Sequence, residues 1–79
     1  MTDPKELVEF IVKALVDKPE DVKIDLVSGT RTTIIELKVN NNDIGKVIGK
    51  GGQVAKAIRT LLAAVASKSG KRYNLEILE

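Results

Sequence analysis

Four glycines and two lysines lie close together in residues 45–52, where the chain reads Gly-Lys-Val-Ile-Gly-Lys-Gly-Gly. Glycine destabilises a helix by about 1 kcal/mol relative to alanine, yet Gly49, Gly51 and Gly52 directly precede a helical pattern. Such residues suit a backbone that turns sharply or lies against a ligand. With the two lysines, they predict a loop that binds an anionic group.

The basic residues of the chain are concentrated around this loop. The formal net charge is only +2, but residues 43–72 contain seven Lys or Arg and one acidic residue, Asp43. Residues 1–42 contain six Lys or Arg against eight Asp or Glu, and residues 73–79 contain two Glu. The local positive field favours an anionic partner. The alternative is that these charges only keep exposed faces soluble.

The composition excludes several kinds of chemistry. The chain has no Cys and no His, which removes disulfides, thiolate nucleophiles, most zinc sites and His-based acid–base catalysis. The carboxylates lie away from the glycine loop, so we predict no catalytic residue, cofactor or metal, and no enzyme. Residues 1–4 lack a signal-peptide pattern, and the longest apolar stretch, residues 61–66, is too short to cross a bilayer. We expect one cytoplasmic domain, residues 1–79, with a modest core and no membrane contact.

Three helices are predicted. Asp3, Pro4 and Glu6 form a helix start signal, a short helix is predicted over residues 44–48 with its N-cap in residues 40–43, and a long helix runs from Gln53 to about Ser67. The predicted apolar face of the first helix comprises Leu7, Val8, Ile11, Ala14 and Leu15, widened by Phe10. That of the long helix comprises Val54, Ala55, Ile58, Leu61, Leu62 and Val65.

Alternating apolar residues predict three strands. Residues 22–26 and 33–39 form a hairpin around Ser28-Gly29-Thr30-Arg31, and residues 73–77 form a final strand. The long helical connection between the second and third strands permits a parallel pair. The right-handed crossover rule then puts all helices on one face. The predicted fold class is α+β, with the order α-β-β-α-α-β and a three-stranded mixed sheet covered on one face.

Two common phosphate loops do not fit the glycine segment. A Walker loop needs four residues between its glycines and Ser or Thr after Gly-Lys, whereas three residues separate Gly45 from Gly49 and Gly51 follows Lys50. A dinucleotide fingerprint would follow a strand. Residues 47–58, Val-Ile-Gly-Lys-Gly-Gly-Gln-Val-Ala-Lys-Ala-Ile, resemble the KH-domain signature V-I-G-x-x-G-x-x-I-x-x-I, with Ala55 at an Ile position. The element order resembles the type II KH domain, and residues 3–79 together resemble the small bacterial KhpA family of single-KH RNA-binding proteins.

The resemblance implies a protein that binds single-stranded RNA. KH domains clamp about four nucleotides with the G-x-x-G loop, here residues 49–52. Leu37 or Val39 would form the wall opposite residues 44–48, with Ile48 and Ile58 favoured as core; for Ile44 and Val47, core and groove stay open. Lys71 and Arg72 would flank a loop closing the far side of the groove. The residues expected to bind RNA are Gly49, Lys50, Gly51, Gly52, Lys46, Lys56, Arg59, Ile44, Val47, Lys71 and Arg72.

The resemblance also implies a role beyond simple binding. Members of the family are linked to a larger KH protein of the KhpB/Jag type, to RNA-chaperone or post-transcriptional regulation, and to control of cell elongation and division. A homodimer is a further expectation, because a weak single module gains avidity by pairing.

Two other functions stay open. A KH scaffold can serve as a protein-interaction module through a strand edge or helix face, in which case loop substitutions would leave function intact. The helix pair could instead read double-stranded DNA, with Gln53 and Lys56 as base readers. The chain has only two aromatic residues, Phe10 and Tyr73. We expect both to pack, which argues against stacking bases on sheet-borne rings.

Overall fold

A computed structural model describes residues 3–79; residues 1 and 2, which the sequence prediction includes in the domain, lie outside the described part. The predicted order α-β-β-α-α-β is confirmed. Short 3-10 turns precede β1, α2 and α3. The elements are α1 (Pro4–Leu15), β1 (Lys23–Ser28), β2 (Thr32–Lys38), α2 (Ile44–Ile48), α3 (Gln53–Ser69) and β3 (Arg72–Ile77).

The sheet has the order β1-β2-β3 and is mixed, as predicted. The strand β1 pairs antiparallel with β2, placing Ile24 opposite Leu37. The strand β2 pairs parallel with β3, placing Ile35 opposite Leu75. These four residues are buried, whereas neighbouring residues that point to the other face, such as Asp25, stay exposed. The helices therefore cover one face only.

The core joins this covered sheet face to all three helices. Val8 and Val12 of α1, Val47 of α2 and Leu62 of α3 are fully buried against it. The spacing of four residues between Val8 and Val12 places both on one side of α1. Within residues 3–79, no helix is long and apolar enough to cross a membrane.

The predicted apolar face of α1 is partly wrong. Phe10, expected in the core, is 76% exposed, and Leu15 is 41% exposed. Val12, absent from the predicted face, is completely buried. The apolar residues occupy a wider arc of α1 than the sheet and α3 can cover, so the buried side centres on Val8 and Val12 and leaves Phe10 in solvent.

A buried carboxylate joins the end of α1 to the start of α2. Asp43 is 1% exposed, and its Oδ1 and Oδ2 accept hydrogen bonds from the backbone N–H groups of Asp17 (3.2 Å) and Lys18 (3.0 Å). Asp43 therefore does not cap α2 with its side chain, although the sequence offered it as a cap. It instead fixes the turn after α1 to the helix that leads into the glycine loop.

The same contacts set the charge state of Asp43. Burial raises its pKa, but the N–H groups of Asp17 and Lys18 and the nearby Lys46 ammonium outweigh burial and hold the pKa below the usual 3.8. A carboxyl with a depressed folded-state pKa stabilises the fold above its unfolded pKa. That contribution is lost as the pH falls through the lower folded pKa.

We predict that Asp43→Asn lowers the urea midpoint of unfolding at neutral pH, because one N–H group loses its acceptor. The gap between wild type and variant should shrink as the pH is lowered from neutral through the depressed pKa of Asp43, where the wild-type carboxylate becomes protonated. Urea denaturation followed by circular dichroism across this range measures it. Asp25→Asn, at an exposed position, is the control and should not lower the midpoint. A constant gap at every pH would contradict the prediction.

Candidate nucleic-acid interface

The glycine loop, residues 49–52, connects α2 to α3. Gly49 ends α2 with φ 79° and ψ 170°, and its N–H donates to the carbonyl of Gly45 at 2.8 Å. Lys50–Gly52 form a 3-10 turn in which Gly51 has φ 63°. The N–H of Gly52 closes this turn onto the carbonyl of Gly49 at 3.1 Å. Main-chain hydrogen bonds therefore fix the conformation of the loop.

Two of these glycines are required for different reasons. A Cβ at Gly49 would collide with Cγ2 of Val54 and lie 2.8 Å from its backbone nitrogen, so Gly49 is needed for the packing of α2 against α3. A Cβ at Gly51 would meet nothing within 4 Å. Its positive φ disfavours a side chain, but the space beside it is open. Gly51 thus leaves main chain accessible to a ligand.

Positive charge surrounds this accessible backbone. Lys50 in the loop and Lys56 in the first turns of α3 are exposed. The N-terminus of α3, at Gly52, has no side-chain cap, so its first turn can offer N–H groups and the positive end of its dipole to an anion. Together these features make residues 49–52 suited to hold a phosphate.

Arg59 connects α3 to the free edge of the sheet. Its Nη2 donates to the carbonyl of Leu75 in β3 at 3.2 Å. The N–H groups of Arg72 and Leu78 donate towards β2. Because backbone groups alternate in direction along a strand, the N–H and C=O groups at positions 73, 75 and 77 point to the outer edge of the sheet. A row of backbone donors and acceptors therefore runs beside α3.

A shallow groove lies between α3 and this edge. It has a volume of about 470 Å³. Small residues, Ala63 and Ser67, line it on the helix side, and Tyr73 and Asn74 line it on the strand side. Tyr73 is half-buried and packs against the core, as the sequence predicts. The groove therefore lacks a stacked aromatic platform but keeps polar strand-edge groups.

Lys46 is engaged within the protein. Its ammonium makes an ion pair with Asp17 and lies 3.5 Å from Oδ1 of Asp43. The hydrogen bond to Asp17 is the main cause that raises the pKa of Lys46 above its usual value, with further attraction from Asp43. Of the lysines predicted to contact RNA, Lys46 is therefore the one already neutralised by local carboxylates.

The burial of the apolar residues of α2 differs from the prediction. Val47 is fully buried, so its side chain has no surface with which to contact RNA. Ile44 and Ile48 are both half-buried; Ile48, favoured as core, keeps part of its side chain exposed beside Gly49. Leu37 (0% exposed) and Val39 (4%) are also core residues, and the expectation that either forms a groove wall is wrong.

Lys71 and Arg72 lie at the opposite end of α3 from the glycine loop. The 17 residues of α3 span about 25 Å at 1.5 Å per residue, so these two residues line the groove at the end far from the loop. Arg31, which was not among the residues predicted to bind RNA, lies beside them. Parallel pairing of β2 with β3 places Thr32 opposite Arg72, so the predicted topology carried the signal that could have found Arg31.

We predict that Gly49→Ala destabilises the protein more than Gly51→Ala. A left-handed backbone costs a non-glycine residue about 1–2 kcal/mol, and Gly51→Ala should lose only that amount. Gly49→Ala adds the collision with Val54. Urea denaturation of both variants measures the difference. Equal losses would show that the contact between Gly49 and Val54 does not constrain the loop.

Comparison with known proteins places the whole chain in one family. A family model described as KhpA/KhpB, KH domain, matches residues 5–77. The protein named RNA-binding protein KhpA of Clostridium perfringens is 57% identical over 74 residues, covering 94% of this chain and 99% of the relative. The protein of the same name from Borreliella burgdorferi is 54% identical, covering 94% and 90%. The Aquifex aeolicus relative is 47% identical over the full length of both chains.

Solved structures share the fold at lower identity. An Aquifex aeolicus Era variant bound to GDP and aluminium fluoride superposes with a TM-score of 0.62 at 22% identity, covering 94% of this chain and 29% of that one. Era in complex with MgGDPNP and a segment of 16S ribosomal RNA gives the same TM-score, 0.62, and covers 94% and 28%. The matched share is one fold within a larger protein. By the family match and by the relatives that align along nearly its whole length, this chain belongs to the KhpA/KhpB family of KH domains, a non-enzymatic family.

Proposed function

We propose that this protein binds single-stranded RNA through its glycine loop and the groove between α3 and β3. The observation that carries the proposal is the open space beside Gly51, next to the exposed Lys50 and the uncapped N-terminus of α3. Accessible main chain and positive charge lie together there, and within residues 3–79 Lys50 makes no ion pair. The name RNA-binding protein KhpA, carried by relatives up to 57% identical, supports the same ligand.

The loop acts on the sugar–phosphate backbone rather than on bases. A phosphate can approach the main chain at Gly51 because no Cβ blocks it. Lys50 then neutralises the phosphate as a point charge, while the N-terminal dipole of α3 adds a fixed positive potential. Lys56 and Arg59, farther along α3, attract the following phosphates. Such contacts hold about four nucleotides in KH domains.

Base contacts would come from β3 and from α2. The outward N–H and C=O groups of β3, apart from the Leu75 carbonyl that accepts from Arg59, can hydrogen-bond to the Watson–Crick edges of unpaired bases. On α2, the exposed parts of Ile44 and Ile48 can contact base faces. Sequence preference then depends on hydrogen bonds and shape, since Tyr73, which lines the groove, is half-buried against the core.

A loop variant tests the proposal directly. Lys50→Asp/Gly51→Asp reverses one charge and places a carboxylate where the phosphate would lie; Asp tolerates the left-handed backbone better than most residues. We expect the affinity of the variant for RNA of about four nucleotides to be about tenfold or more below that of wild type. For wild type, the logarithm of the binding constant should fall with the logarithm of the salt concentration, with a slope of about −0.7 for each phosphate contact and at least one such contact. Fluorescence anisotropy with a random-sequence RNA pool at two salt concentrations measures both.

The chain offers a control with the same change in net charge on α1. Lys5→Asp/Ala14→Asp reverses one positive charge and adds one carboxylate at exposed positions, outside the loop and the groove. Circular dichroism must show both variants folded. The control should bind the short RNA like wild type. If the loop variant binds RNA as wild type does, the phosphate clamp is rejected and a protein-interaction module is favoured. If wild type binds duplex DNA more tightly than RNA, recognition of double-stranded DNA is favoured.

We also propose that the protein works with a second KH module, either another copy of itself or the KhpB/Jag-type protein. Large apolar side chains lie exposed outside the groove, with Phe10 at 76% and Leu61 at 48%, and burying either of them against a second module would be favourable. A second linked contact raises apparent RNA affinity by about a hundredfold or more. An RNA-chaperone or post-transcriptional role in the cytoplasm, with effects on cell elongation and division, would follow from such an assembly.

Sedimentation velocity tests the association. We expect a concentration-dependent increase in mass for the protein alone or in a mixture with the KhpB/Jag-type protein. Phe10→Ser or Leu61→Ser should weaken it without unfolding the protein, because exposed positions contribute little to stability. A monomer at all concentrations that also ignores the KH partner would reject this part of the proposal and leave RNA binding by the single domain in place.

A further inference from the structure

A second group of basic residues lies at the end of the molecule farthest from the glycine loop. The turn of the β1–β2 hairpin carries Arg31, the turn between α3 and β3 carries Lys71, and Arg72 is the first residue of β3. All three side chains are exposed. None of them makes an ion pair with any residue in the described part of the chain, in contrast to Lys46.

The two turns are held together by the backbone. The N–H of Arg72 donates to the carbonyl of Arg31 at 3.2 Å, and the N–H of Gly29 closes the hairpin turn onto the carbonyl of Thr32 at 2.8 Å. Both are main-chain bonds, so the cations project from a fixed framework, and their side chains can be changed without breaking it.

Between these turns lies an open cleft of about 710 Å³ whose lining is suited to phosphate. Of the described residues that line it, four carry hydroxyl groups, three are cationic and two are glycines, and none has a carboxylate or an apolar side chain. Hydroxyls and cations are the usual side-chain donors to phosphate oxygens. The hydroxyl residues are Ser28, Thr30, Thr32 and Thr33.

We infer that this cleft is a second phosphate-binding site, which takes the backbone of the RNA strand held by the glycine loop. The inference rests on the proposed function. The cleft shares Gly70, Lys71 and Arg72 with the groove between α3 and β3. A strand that leaves the loop past Lys56 and Arg59 can therefore follow the groove into the cleft.

The separation of the two sites determines which RNA can use both. The length of α3 places the loop and the cleft about 25 Å apart. A strand of about four nucleotides that is fixed at the glycine loop cannot also place a phosphate in the cleft. A strand of about twelve nucleotides, within the range that single-stranded-binding folds cover, reaches the cleft. Longer RNA should therefore bind more tightly, with a steeper salt dependence.

The test compares Arg31→Gln with Lys23→Gln. Both variants lose one positive charge, but Arg31 lines the cleft and not the groove, whereas Lys23 lies on β1 opposite Lys38, away from the cleft. Fluorescence anisotropy with random-sequence RNA of about four and about twelve nucleotides is measured at two salt concentrations. We expect the arginine variant to keep wild-type affinity for the short RNA. For the long RNA it should lose about fivefold, with a salt slope smaller by about 0.7, the value for one contact.

Several outcomes would overturn the inference, and they differ from failure of the proposed function. The arginine variant could bind long RNA with the same affinity as wild type while Lys50→Asp/Gly51→Asp loses binding. RNA binding would then depend on the loop and not on the cleft. Equal losses in the two glutamine variants would reduce the effect to net charge. A poly-aspartate peptide that shifts the amide resonances of residues 28–31 as strongly as RNA does would assign the cleft to an acidic protein. No RNA binding by wild type, or long-RNA binding that survives the loop change, would reject the proposed function itself.

Discussion

The left-handed backbone at Gly49 is the constraint on which the rest of the interface depends. With φ 79° it ends α2 and turns the chain back so that α3 can begin four residues later. No side chain fits there, because Val54 of α3 occupies the space that a Cβ would need. The close approach of the two helices and the accessible main chain at Gly51 are consequences of the same turn. Packing and ligand access are therefore inseparable in residues 49–52.

The distribution of charge follows from which cations find internal partners. Lys46 lies between Asp17 and Asp43, and this pairing ties the beginning of α2 to the turn after α1. Exposed ion pairs contribute little stability by themselves. The buried carboxylate of Asp43 is different, because leaving it without its two N–H donors would strand a charge in the core. Lys46 thus supports the base of the loop, while Lys50, which has no ion pair in the described part of the chain, is left for an external anion.

Local patterns in the sequence predicted the elements well, and the errors arose where three-dimensional contacts decide. The glycine run gave the position of the loop because left-handed turns need glycine. Helical periodicity predicted that Phe10 lies on the apolar face of α1. Periodicity does not show which part of a wide apolar face the sheet will cover, and in the structure Val12 is buried while Phe10 is exposed. The partners of Asp43 lie 25 and 26 residues away in the chain, so no local pattern could reveal that it anchors α1. Arg31 was missed because it lies about forty residues before Lys71 and Arg72 in the chain and comes near them only through the pairing of β2 with β3.

The helix α3 also explains why an unpaired strand suits this surface better than a duplex. The free edge of β3 offers main-chain donors and acceptors, which can be used only by bases whose Watson–Crick edges are not already paired. A double helix would present its phosphates while hiding those edges, and it is stiff over lengths far greater than α3. In the proposed mode of binding, a single strand bends so that its phosphates meet the loop while its bases turn towards β3. Backbone contacts at the end of one helix and base contacts along the neighbouring strand would then occur together, and only a flexible ligand satisfies both.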